Sequence, residues 1–262
     1  MSFKKTSLLS TVTLVATVAV SPAMALVINP TYVNAAGETW TADRIGVFDQ
    51  AIADWTALLA TPAGSGAIDV TVSFASAGNG YLGQWSGGFS AFSGDDIRPW
   101  SNSVNHSINF NADRMTSSSA NALWFDATPL DGSDQPFSDW DALSVARHEI
   151  GHMLGFTDGF YADDFNTPTQ TDPWGSLIDG SDVFDLSGLN VAMATGNLGH
   201  VDNSASNPLM QVAIPNGTRR DVDLVDAQQL ALAYGYTLVP EPTTVTVLVL
   251  GGLALLRRRR AG

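Results

Sequence analysis

His148, Glu149 and His152 form a His-Glu-x-x-His arrangement, followed at matching intervals by Gly155 and Asp158. On an α-helix, residues four apart differ by about 6 Å in rise and about 40° in rotation, so both imidazoles leave one face. Two imidazoles so placed fit two of the four positions around a zinc ion. Glu149 follows the first histidine directly. Its carboxylate can reach a water on the metal without being a ligand, which is the position a general base needs. Gly155 is expected to end the helix and turn the chain, because glycine enters left-handed conformations at little cost. That turn would bring Asp158 back to the metal as a third protein ligand. His200 is the other candidate; it lies 48 residues after His152, so only the tertiary fold could deliver it. The alternative to a metal site is a helix with two solvated histidines. With only four histidines in 262 residues, chance rarely spells this motif.

The surrounding elements must hold this stretch in place. Ser138-Asp139-Trp140-Asp141 reads as a capping box at the start of the motif helix, and Leu143, Ala146, Ile150 and Leu154 supply its buried stripe. An earlier helix is expected from Thr39 to Leu59, capped by Thr39 or Thr41, with Ile45, Phe48, Ile52, Trp55 and Leu59 at helical spacing. Pro62 to Gly66 breaks it. Ile68, Val70, Val72 and Phe74 then alternate with polar residues, as in a half-buried strand. Residues Ser107 to Asn111 alternate again and are read as an edge strand, with His106 before it as a structural or surface residue rather than a ligand.

Between Asp158 and Asp185 seven aspartates stand among glycines and prolines, the composition of a long functional loop. Such a loop could take Ca2+ or simply be solvated. A last helix is expected from Asp223 to Tyr234, with Leu224, Ala227, Leu230, Ala231 and Tyr234 on one side and Gly235 as its stop. Helices and strands in this order indicate an α+β domain.

Composition narrows the partners. Residues 1–25 combine Lys4 and Lys5, an apolar run and Ala23-Met24-Ala25, the layout of a secretory signal peptide cut after Ala25. Residues 26–238 form the expected domain. They carry six arginines, no lysine and twenty-five acids, a formal net charge of −19. So acidic a body lacks the basic patch that nucleic-acid binding needs and avoids anionic membranes. There is no cysteine, so no disulfide framework supports an exported fold. Residues 239–262 hold Pro240-Glu241-Pro242, an apolar run to Leu256 and Arg257 to Arg260. That run is short for a membrane span. The order of parts resembles a PEP-CTERM sorting signal. The resemblance implies an exosortase-type processing enzyme, membrane attachment only through this segment before cleavage, and an exopolysaccharide-producing Gram-negative bacterium. The destination would be the cell surface or the extracellular matrix.

The motif helix resembles that of metzincin metallopeptidases, nearest the matrixin and snapalysin-like types, on His148, Glu149, His152, Gly155 and Asp158. Met210 stands where that family has its Met-turn, and Leu230 to Tyr236 resembles the closing helix of matrixins. Met193 is the rival for the turn, but no helix follows it directly. The third ligand is usually His in this family; Asp158 would make the chain snapalysin-like. Val212 stands where some branches carry a tyrosine ligand. The resemblance implies a mixed sheet, an active-site helix and a C-terminal helix. It implies a Zn2+-dependent endopeptidase acting on protein or peptide substrates with Glu149 as base. A non-catalytic matrix or adhesion protein with a structural metal is the competing expectation. A polysaccharide hydrolase would need paired carboxylates that cannot be assigned among so many aspartates.

Overall fold

The computed structural model describes residues 24–240 apart from 63–64, 79, 88–104, 116–120, 157–173, 175–176, 187 and 203–207. Most of the predicted signal peptide and nearly all of the predicted tail lie outside the described residues. No helix among those described is long and apolar enough to cross a membrane.

The chain builds a mixed α+β domain. In β4 (Ile68–Ala75) the four apolar residues of the alternation are buried. This strand lies between β2 (Ile28–Tyr32) and β6 (His106–Asn111), parallel to both, and β5 (Gly83–Gly87) pairs antiparallel on the far side of β6. Thus β6 is interior, not at an edge as its pattern suggested. Its polar face is satisfied sideways: Asn109 Oδ1 accepts from Ser73 Oγ at 2.5 Å, and the Ser107 and Ser86 hydroxyls meet at 2.6 Å. Cross-strand polar pairs of this kind let an alternating strand sit mid-sheet. His106 is buried against Trp85, a structural position.

Parallel β2 and β4 require a crossover. It consists of α1 (Ala42–Leu58), capped by Thr41, and β3 (Leu59–Thr61). The helix buries Val47, Phe48, Ala51 and Trp55, and the Trp55 indole N–H donates to Arg147 O at 2.8 Å, fastening α1 to the motif helix. In a small separate sheet, β3 lies between β12 (Thr237–Leu238), the end of the domain, and β1 (Met24–Ala25), the last two residues of the predicted signal peptide.

The motif helix α2 spans Ala142–Leu154 and is buried almost throughout. It starts three residues later than the capping-box reading places it. Trp140-Asp141 forms β8, parallel to β7 (Leu123–Trp124), and Asp141 is the cap, accepting from Ser144 N at 3.0 Å. The buried Asp141 and Asp126 carboxylates share Arg219, at 2.8 and 2.9 Å. Removing one partner of a buried pair strands the other charge at a cost of about 3–5 kcal/mol. Arg219→Ala, which strands two carboxylates and slackens the cap of α2, is expected to lose about that much in denaturant unfolding. A loss below about 1 kcal/mol would show that water reaches these carboxylates.

The third helix, α3 (Leu224–Tyr234), carries a capping box between Asp223 and Asp226 and ends at Gly235 in the left-handed conformation. It buries Ala227, Leu230 and Tyr234, while Leu224, read on the same side, is half exposed. Burial, and then the neighbouring Asp223, push the Asp226 carboxyl up to about 8. A carboxyl raised above its unfolded value of 3.8 contributes stability that is complete below that value and is lost as pH rises through about 8. The melting temperature is therefore expected to fall between about pH 4 and about pH 8 and to level off above, and Asp226→Asn, which keeps an acceptor for the cap, should flatten that fall. Equal slopes in the two proteins would contradict the assignment.

The acidic stretch, read as a loop to Asp185, ends in a strand, and with the residues after it forms three antiparallel strands that alternation alone did not reveal: β9 (Val183–Asp185), β10 (Asn190–Ala194) and β11 (Asn197–Val201). Asp179 turns the chain into β9, its Oδ1 accepting from Ser181 N and Val183 N at 2.8 and 3.1 Å. A 3-10 turn, Ala112–Arg114, follows β6 directly.

Candidate metal centre

Three histidines from two elements converge on one point. His148 and His152 leave α2 on one face, as their spacing requires, and the β10–β11 hairpin delivers His200. The Nε2 atoms of His148 and His152 stand 3.0 Å apart, and those of His152 and His200 stand 3.2 Å apart. Each ring is turned by its other nitrogen. His148 Nδ1 donates to Leu209 O at 3.0 Å, His152 Nδ1 to Phe156 O, and His200 Nδ1 to Asn197 Oδ1 at 2.6 Å. A carbonyl oxygen can only accept, so each proton sits on Nδ1 and each Nε2 presents a lone pair. None of the three Nε2 atoms then has a proton to offer its neighbour. Lone pairs facing one another at such distances repel unless a cation lies between them.

Electrostatics keep the rings in that state. Burial, and then His152, push His148 down to about 3; burial and His200 do the same to His152, and burial and His148 to His200. The imidazoles are neutral at physiological pH, as metal ligation requires. Nitrogen ligands at the 2.0–2.1 Å typical of zinc lie about 3.3 Å apart in a tetrahedron, close to the spacings here. The donor set therefore fits Zn2+, and neutral imidazole is a poor ligand for Ca2+. Among the described residues these histidines are the group that could hold a metal ion. The structure places His200 beside the pair; Asp158 and most of the acidic stretch lie outside the described residues.

Glu149 lies on the same helix one residue past His148 and is buried. Its Oε2 accepts from Trp85 N on β5 at 2.6 Å. Burial pushes the carboxyl up to about 7, against the pull of that N–H, which suits a base working near neutral pH. At Gly83 a Cβ would stand 2.6 Å from Val145 Cγ1 and 2.9 Å from Glu149 Cγ, so glycine lets β5 press against the base.

Met210 is fully buried against α2, and its Sδ would lie 2.5 Å from a Cβ on Gly151. Met193 instead packs against Gln229 of α3. Gly155 ends α2 with φ 132°, and a Cβ there would enter the ring of Tyr234, whose hydroxyl donates to Gly155 O at 2.9 Å. The glycine thus serves both the turn and the docking of α3.

A cavity of about 730 Å³ opens in front of these groups, walled by β5, α2 and Gln211 to Ile214. Sequence reasoning missed Asn197 and Trp85 and put His200 second. The signal available was a hairpin: alternating Val191 and Met193, a Thr195-Gly196 turn with φ 73° at the glycine, then a second short strand ending in His200-Val201. Compared with protein-family models and with curated proteins, the chain matches none.

Proposed function

We propose that this chain is an exported zinc endopeptidase of metzincin type. The observation that carries the reading is the convergence of three neutral imidazoles, each anchored through Nδ1, beside one buried carboxylate at the wall of an open cavity. His148, His152 and His200 would hold the ion. When bound, it supplies a Lewis acid for a peptide carbonyl and makes water more acidic. Glu149 takes the proton from the attacking water and hands it to the leaving amine as the C–N bond breaks. The Trp85 N–H fixes the carboxylate for that transfer. No described strand pairs with the outer side of β5, so the cavity is bordered by backbone against which an extended peptide can lie. Met210, packed close to Gly151 of the histidine helix, is where the Met-turn would stand. The signal-like start and the Pro-Glu-Pro tail support export and sorting by an exosortase-type enzyme.

The test is casein digestion by the full-length chain with zinc content measured in parallel. Activity removed by a chelator and restored by zinc is the expected result. Intact casein alongside one bound zinc per chain would leave the metal a structural role.

A further inference from the structure

One histidine of the four stands apart from the metal centre. His106 is buried on β6, and its Nδ1 lies 3.2 Å from the indole nitrogen of Trp85. An indole N–H can only donate, so Nδ1 accepts and the imidazole proton lies on Nε2. The bond ties the interior strand to the residue that holds the base, because Trp85 N donates to Glu149 Oε2 at 2.6 Å. Two hydrogen bonds through one residue therefore link His106 to Glu149.

The composition of β5 gives that link its leverage. Alternate residues of a strand share a face, so Gly83, Trp85 and Gly87 point the same way, and Trp85 alone of the three has a side chain. Gly83 makes room for Glu149, and a Cβ on Gly87 would stand 2.3 Å from Cζ2 of the Trp85 ring. The indole thus lies along the strand over Gly87. Gly87 pairs with His106, which makes His106 the diagonal neighbour of Trp85, within reach of an aromatic side chain. Glycines add no packing to a strand and leave its backbone permissive. Rotamer and backbone angles are coupled, so an indole pinned at its nitrogen restrains the Trp85 peptide between them. That peptide carries the N–H on which Glu149 rests.

From this geometry we infer that His106 is a positioning residue for Glu149: through the Trp85 indole it fixes the backbone N–H that aims the carboxylate at the attacking water. This rests on the peptidase reading for the reaction and on the His106–Trp85–Glu149 contacts for the linkage. The test compares two variants of the zinc-loaded full chain on a quenched peptide, with zinc content measured alongside. His106→Phe keeps a buried ring but offers the indole no acceptor. His106→Asn is smaller, yet its Oδ1 is as many bonds from the backbone as Nδ1. A 1 Å misplacement can cost about 100-fold, so a slackened base in His106→Phe is expected to lose about 10-fold in kcat, with KM and zinc unchanged. His106→Asn should recover most of that loss, whereas packing alone predicts the opposite order. Adding His106→Phe to Trp85→Phe should lower kcat no further than Trp85→Phe alone, since the two residues act as one linkage. A readout independent of activity is the backbone amide proton of Trp85 in nuclear magnetic resonance spectra. Its short bond to a carboxylate places it downfield, and it should move upfield in His106→Phe and stay in His106→Asn. In an active parent, an unmoved amide, an unchanged kcat or equal losses in the two variants overturns this inference alone. A moved amide in a parent that cleaves no peptide supports the linkage and overturns the peptidase reading. An unmoved amide without cleavage overturns both. Should His106→Phe not fold, Trp85→Phe removes the same bond at a partly buried position, and an unchanged kcat there overturns the inference.

Discussion

Glu149→Gln is expected to lose at least about 100-fold in peptidase activity while keeping its zinc. A positioned general base contributes roughly 10²–10⁴-fold, and 100-fold corresponds to about 2.7 kcal/mol in the barrier. Glutamine has the size of glutamate and still offers an oxygen to the Trp85 N–H, so the close fit against Gly83 persists. Stability should not fall. Burial disfavours the charged carboxylate here, and a neutral amide removes that cost. A variant as active as the parent would show that the proton goes elsewhere. A variant that loses zinc together with activity would place Glu149 among the ligands.

The second large effect concerns His200. His200→Ala is expected to lower zinc affinity by more than about 100-fold, since even groups that only orient a ligand are worth 10–100-fold, and to abolish activity with it. Asn197→Ala, which frees the His200 ring but leaves its nitrogen available, should fall within that 10–100-fold range. Asp158→Ala should retain most of the zinc. Motif spacing favoured Asp158 as third ligand; the convergence of three Nε2 atoms shifts the weight to His200. Competitive titration with a zinc chelator across the three variants decides it. Full occupancy in His200→Ala beside loss in Asp158→Ala would return the position to the aspartate.

The contrast between these two candidates shows what the sequence carried. Features set by local periodicity were legible: the helix bearing His148 and His152, the alternation of β4, the stops at Gly155 and Gly235, and the helix capped by Asp223. Each depends on residues within one or two turns of one another. Pairing was less legible. The pattern of β6 fits an edge as well as an interior strand, and only the Ser73–Asn109 and Ser86–Ser107 contacts show which it is. Asp141, not Ser138, caps α2 because Arg219, 78 residues further on, stabilises its carboxylate in the interior. His200 was hardest to place because its position beside His152 depends on a hairpin made largely of small residues, whose strand signal is weak.

The central claim is that the three-histidine site does chemistry and not merely holds the fold. It is tested most directly by titrating metal-free full-length chain with zinc while counting new amino termini released from casein by mass spectrometry. The account predicts that termini appear in proportion to bound zinc and reach a plateau at one equivalent per chain. Saturation of the site at one equivalent with no new termini would contradict it.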